Sequence, residues 1–283
     1  MDEIGFTRRW MLEGGAVGAG LAAWPAAAGP MPAGRDYDPR QSSAGQVKLD
    51  AYADGRAAPW WYTGTIYAVR ERTKPKALFR FEGCETYWAS PKSSGEADVY
   101  SRTLTFFRDL DTNAWLDTYD NASTGRRDTV RPNLFGGQVV YPADGSPPHA
   151  KALPQGVSQI APQGLDPDAL TKPMGSFRWV VSGPMVLRIG DRALPSRLQP
   201  SMEAQSTFCD SKAFFDPRVQ TMAAQFSSTT FSPYLGWMTM PDEPGHLVWH
   251  ASGYKLAGFS QLPPEFLARA ESFRAGALTA PPG

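Results

Sequence analysis

From Tyr52 onward the chain breaks into short runs of β-branched and aromatic residues, each ended by a cluster of Gly, Pro, Asn, Asp or Ser. No other feature of the sequence constrains the fold as strongly. The runs place strands at 60–70, 77–90, 98–110, 114–120, 127–131, 138–141, 176–181, 185–189, 202–208, 223–231 and 246–255. No long helical pattern recurs between them, so parallel crossovers have nothing to cross with. The expectation is an all-β, mainly antiparallel domain over residues 48–283, a β-barrel or curved sandwich, lipocalin-like in general architecture. The 26 Pro and 27 Gly suit a chain with that many turns. One helix is expected near the end, where Pro263-Pro264 precedes residues 265–275 with Phe266, Leu267, Ala270 and Phe273 on one face. It should pack across the barrel or its mouth.

The segment 142–175 interrupts the rhythm. Pro142, Pro147, Pro148, Pro154, Pro162, Pro167 and Pro173 bar it from being a central strand, so it reads as a strap that divides the sheet into halves.

Before the strands comes a targeting pattern. Phe6-Thr7-Arg8-Arg9-Trp10-Met11-Leu12 leads into a weakly apolar stretch, and Ala26-Ala27-Ala28 offers a cleavage point. Residues 1–28 therefore read as a twin-arginine signal peptide and residues 29–47 as a flexible spacer. The apolar stretch is too short to span a bilayer, and no Cys marks a lipid anchor. The expected location is the periplasm, with the twin-arginine machinery as a transient partner and no stable membrane anchor. An oxidising compartment permits a bridge between Cys84 and Cys209, but their separation in sequence does not decide it. Lys plus Arg balance Asp plus Glu at 28 each, with no basic run, so nucleic acid is not an expected partner.

The usual chemical motifs are missing. There is no Gly-x-Ser-x-Gly elbow, phosphate loop or dinucleotide fingerprint. His246 and His250 are four apart, but on a strand that spacing spans about 13 Å, too far for one zinc ion. Asp109-Leu110-Asp111-Thr112-Asn113 begins like a calcium loop, yet Ala114 replaces the needed Gly, and a hairpin turn explains it better. Neither a metal nor a resident cofactor is expected.

Two stretches carry a family resemblance. Gly64-Thr65-Ile66-Tyr67-Ala68, Leu78-Phe79-Arg80-Phe81-Glu82-Gly83, Ser101-Arg102, Phe106-Phe107-Arg108-Asp109 and residues 121–125 form the first. Gly236-Trp237-Met238, Gly245-His246-Leu247, Gly253-Tyr254-Lys255-Leu256 and Leu262-Pro263 form the second. Together the chain resembles the bacterial and fungal family called domain of unknown function 1838. It departs from that pattern at Thr103, Ala122 and Arg131-Pro132, and the family name assigns no activity.

Candidate site residues come from strand alternation. Tyr100, Arg102, Leu104, Phe106 and Arg108 share one face, as do Trp115, Asp117, Tyr119 and Asn121 on the next run. An Arg on a core-like face either meets a carboxylate such as Glu82 or lines a wet cavity. In the cavity reading Arg102 holds an oxyanion, Tyr119 or Tyr100 donates a proton and Glu82 acts as base. Asn121, Arg131, Trp179, Trp237 and Tyr254 would then contact a small apolar or aromatic molecule. That describes a cofactor-independent lyase, isomerase or hydratase. The same cavity without turnover describes a binding or carrier protein, and export of a folded chain also suits a cofactor-loaded redox protein.

Overall fold

The computed structural model describes residues 38–157, 175–194, 201–240 and 242–279. The expected signal peptide and the first part of the expected spacer lie outside the described residues, as does much of the strap.

Strand alternation produces the sheet it predicts. Ten strands form one antiparallel, curled half-barrel: β1 (Ala58–Val69), β2 (Lys76–Pro91), β3 (Ala97–Arg108), β6 (Asn133–Tyr141), β7 (His149–Val157), β8 (Gly175–Ser182), β9 (Met185–Leu194), β10 (Ser201–Asp210), β11 (Ala224–Ser232) and β12 (His246–Lys255). Their order is β7-β6-β3-β2-β1-β12-β11-β10-β9-β8. Each half is a five-stranded antiparallel array, and the pairing of β1 with β12, from Trp60 opposite Lys255 to Val69 opposite His246, joins the halves. A separate ribbon of β4 (Thr118–Asn121) and β5 (Arg126–Thr129) replaces the longer strand expected at 114–120, where Trp115 makes only a single bridge to Arg108.

Two expectations need correction. The strap contains β7, which pairs only with β6 at the edge of the sheet, and the register slips around Pro154. An edge position with a bulge tolerates a residue that lacks an N–H. The expected spacer contains α1 (Ser43–Asp50), which has Val47, Leu49 and also Gln46, Lys48 and Asp50 buried. A helix enclosed on every side shows no amphipathic period, so its sequence resembles a linker.

The concave face is closed at both ends. At one end the turn Gly236–Met238 drives Trp237 against Phe79, Phe107 and Tyr119, with ring centroids 5.7 to 5.9 Å apart. At the other, α1 and α2 (Ser211–Phe215) pack Leu49 and Phe214 on Trp60, Val186 and Cys209. Each helix end is held by a buried lysine. Lys255 Nζ donates to the carbonyls of Lys48, Leu49 and Ala51 at 3.1, 3.1 and 2.7 Å, and Lys48 Nζ to those of Phe214 and Asp216 at 2.8 and 2.6 Å. These carbonyls have no partner within their own helices. Burial pulls Lys255 down to about 7 and Lys48 to about 8.

The C-terminal helix α3 (Pro264–Phe273) lies on the convex face, not across the mouth. Phe266 and Ala270 pack there on Trp61, Cys84, Leu104 and Phe106, the outward residues of β1, β2 and β3.

Candidate functional site

The concave face keeps room in its middle because its aromatic rings lie along the sheet. Phe81 covers Gly64 and Tyr62 covers Gly83, so closely that a Cβ at either glycine would strike the ring. Two cavities of about 130 and 140 Å³ occupy that middle. On the same measure a single water needs only about 10–15 Å³.

Five residues line both cavities: Glu85 and Tyr87 of β2, Arg192 of β9, and Glu203 and Gln205 of β10. In the sheet β2 stands five places from β9, yet Arg192 and Glu203 both act on the Glu85 carboxyl, because curling brings the two halves face to face. The first cavity continues to Asp50, Tyr141, Arg188, Pro147 and Pro148, and the second to Phe81, Phe135, Phe226 and Trp249. Both linings are mixed: the first holds the Asp50–Arg188 pair, and the second holds more of the aromatic rings among Thr, Ser and Asn side chains.

Most of the charges in this region are paired. Arg192 donates through Nε and Nη2 to Glu203 Oε2 at 3.0 and 2.5 Å. Arg188 forks onto both oxygens of Asp50, and the Tyr141 hydroxyl donates to Asp50 Oδ2 at 2.9 Å. Glu85 differs, since it has no ion pair within 4.0 Å among the described residues. Burial raises its affinity for a proton, Arg192 lowers it, and Glu203 raises it again, for a net upward shift. Burial likewise holds Tyr87 well above the usual phenol range, so its hydroxyl keeps its proton. Chemically, the junction offers a carboxyl whose proton affinity burial raises, a phenol, an amide and a guanidinium.

None of the candidate site residues Glu82, Tyr100, Arg102, Tyr119, Asn121, Arg131, Trp179, Trp237 and Tyr254 lines either cavity. Tyr100 and Arg102 do share a face with Leu104, Phe106 and Arg108, but it is the convex face under α3, opposite the cavities. Arg102 does not meet Glu82. Instead Arg108 donates to Glu82 Oε1 through Nε and Nη2 at 2.9 and 2.7 Å, and its guanidinium lies 3.5 Å from the Trp115 ring centre. Tyr119 and Trp237 belong to the end plug, and Asn121 supports it by donating to Asp128 Oδ2 and the Met238 carbonyl, both at 3.2 Å. Trp179 is on the concave side but packs on Phe214, with ring centroids 4.9 Å apart. Arg131 and Tyr254 are exposed, and Tyr254 pairs outward-facing with Trp61 and Gln225.

The cavity residues that sequence reasoning missed carried a signal. Arg188, Gly190 and Arg192 alternate on one face of β9, opposite Thr207, Gln205 and Glu203 of β10. Ending that strand at 189 discards Arg192. For metals, no group of three His, Cys, Asp or Glu could hold an ion among the described residues. His246 and His250 lie on the outer face of β12, and His250 Nδ1 is 3.1 Å from Thr229 Oγ1.

A family profile described as Protein of unknown function (DUF1838) matches residues 55–132 and 193–273, more than half of the chain. No curated protein matches it. Among solved structures, Aeromonas veronii immune modulator A is 6% identical, covers 76% of this chain and 99% of its own, and has a TM-score of 0.15. MucB in complex with MucA(peri) is 12% identical, with 79% and 94% covered and a TM-score of 0.14. The MucA/MucB complex of Pseudomonas aeruginosa is also 12% identical, with 85% and 99% covered and a TM-score of 0.12. Likeness this faint carries no argument about fold or function.

Proposed function

The chain belongs to the DUF1838 family, whose description names no activity, and we propose from its geometry that it binds a small molecule with an apolar or aromatic body on the concave face of the half-barrel. The observation that carries this reading is the pair of adjoining cavities between the two halves of the sheet, with Phe81, Phe135, Phe226 and Trp249 gathered on the second and charged groups at their junction. A concave cleft lined by aromatic rings with a few convergent polar groups is the usual form of a small-molecule site. The test is titration of the full-length protein with a neutral fluorescent aromatic such as 1-aminoanthracene. Saturable binding is expected, and Ala251→Phe, which fills the second cavity, should abolish it without unfolding the protein. Equal binding by the variant would place the ligand elsewhere.

A second reading, acid–base catalysis by a cofactor-independent lyase, isomerase or hydratase, is favoured by one observation. Glu85 is a carboxyl with a raised proton affinity beside a protonated phenol in a cavity, the environment that suits a general acid or base. Glu85 and Tyr87 would take the roles expected of Glu82, Tyr100, Arg102 and Tyr119. Turnover of a bound ligand, abolished in Glu85→Gln while binding persists, separates catalysis from carriage.

Export to the periplasm by the twin-arginine route belongs to the same proposal and is supported by Arg8-Arg9 and the Ala26-Ala27-Ala28 site. Cell fractionation of the natural chain against the Arg8→Lys, Arg9→Lys double variant tests it. Equal periplasmic yield from both would remove the twin-arginine route.

A further inference from the structure

We infer that the ligand of this cavity presents a hydrogen-bond-accepting group, a carboxylate or carbonyl oxygen, to Arg192 and Glu85 where the two cavities meet, with its aromatic or apolar body against Phe81, Phe226 and Trp249. The inference rests on the binding reading above and specifies the chemistry of the ligand.

The direction in which polar groups face decides it. Arg192 spends Nε and Nη2 on a single oxygen of Glu203, so Nη1 has no hydrogen-bond partner among the described residues. Nearly half of the Arg192 side chain, 48%, is open, against 16% for Glu203. The guanidinium is therefore presented to the cavity and the carboxylate is withdrawn behind it. Asp50 presents little negative charge, because Arg188 and Tyr141 occupy its oxygens. The Tyr87 hydroxyl keeps its proton and turns it toward Glu85, and the Gln205 amide adds another donor. Glu85 in its neutral form donates as well.

An acceptor oxygen placed at the open edge of Arg192 meets that guanidinium, the Gln205 amide and neutral Glu85, with the Glu203 carboxylate withdrawn behind. A cationic ligand would face the exposed edge of Arg192 and would have to compete for Glu203, whose accepting oxygen already holds two N–H groups. The apolar wall adjoins the junction, so a flat ring attached to the acceptor group reaches Trp249 and Phe226 without leaving the second cavity.

Anion binding is also linked to proton uptake. Glu85 is faced by Arg192 from β9, Glu203 from β10, Tyr87 on its own strand and Asp50 from α1. Arg192 is the charge that favours ionised Glu85, whereas burial, Glu203 and Asp50 all oppose ionisation. A ligand carboxylate that neutralises Arg192 leaves only the Tyr87 hydroxyl favouring ionised Glu85 against burial, Glu203 and Asp50, so Glu85 binds a proton more readily. Affinity for an anionic ligand should then fall as pH rises through the range in which free Glu85 ionises.

The experiment compares two matched probes on the full-length protein, 2-naphthoate and 2-naphthylmethylamine, each competing with 1-aminoanthracene. The expected result is naphthoate binding at least about tenfold more tightly than the amine. The double variant R192Q/E203Q, which removes the cation without stranding Glu203, should lose that preference, the ratio of naphthoate to amine affinity falling to within about threefold of one. R192K should retain part of the preference, and E85Q should bind naphthoate with little dependence on pH. Binding of 1-aminoanthracene with equal or better affinity for the amine would overturn the acceptor inference alone. Failure of all three probes to bind would overturn the binding reading and this inference with it.

Discussion

Asp50, the last residue of α1, receives both terminal nitrogens of Arg188 from β9, Nη1 on Oδ2 at 2.6 Å and Nη2 on Oδ1 at 2.7 Å. The pair fastens the helix that closes one end of the half-barrel to the far side of the sheet. Both side chains are largely buried, 8% and 14% exposed, so removing one partner strands the other charge. Asp50→Asn or Arg188→Met should each cost about 3–5 kcal/mol, and the double variant D50N/R188M should cost less than either. Urea denaturation of the four proteins measures this. Additive losses in the double variant would show that the two residues do not act as a pair.

Glu85 should leave a signature in the pH dependence of stability. Its folded-state proton affinity lies above that of an ordinary carboxylate. The folded chain therefore binds more protons than the unfolded chain as soon as pH exceeds the usual Glu value. Its contribution is fully present below that value and is lost as pH rises through the folded one. Glu85→Gln carries no such loss. Thermal melts between about pH 4 and about pH 8 should show the variant gaining on the natural protein as pH rises. A constant difference would mean that Glu85 is ionised in the fold without cost.

Particular residues show why the fold was legible in the sequence and the site was not. Period-two alternation shows which residues share a face, and Tyr100, Arg102, Leu104, Phe106 and Arg108 do share one. It does not show which face looks inward, because a one-residue change of register exchanges the two. Here Ser101, Thr103 and Thr105 face the cavities, and the apolar run beside Arg102 serves α3 instead. Gly190 hid Arg192 by resembling the end of a strand, although it pairs within β9 opposite both Phe177 and Gln205. Asp50 and Lys48 were hidden because α1 is buried on all sides. The approach of β2 to β9 across the cavity depends on curvature, which no local pattern encodes.

Cys84 and Cys209 should remain thiols even in an oxidising compartment. Cys84 lies with Trp61 and Leu104 on the convex side under α3, whereas Cys209 lies with Trp60 and Phe214 on the concave side. The sheet itself separates them, and both are free. Burial pushes each thiol up to about 12, so little reactive thiolate forms at neutral pH. Alkylation without reductant should label neither residue in the folded protein and both after denaturation. Denatured protein that takes up label only after reduction would reveal a bridge.

Arg108 should matter to stability far more than its neighbour Glu265, although both contact the same network. Arg108 joins Glu82 Oε1, Glu265 Oε1 and the Asn113 carbonyl at 2.7 to 2.9 Å while stacked on Trp115. Glu82 is 11% exposed and Glu265 61%. Arg108→Met leaves a buried carboxylate without its cation, a loss of about 3–5 kcal/mol. Glu265→Ala breaks only a solvent-screened contact, a loss of no more than about 1 kcal/mol. Glu82→Gln should fall between them, because the amide oxygen still accepts from the guanidinium while the charge attraction disappears. Urea midpoints that ranked Glu265→Ala as the most damaging of the three would mean that α3, and not the buried pair, holds this side of the sheet together.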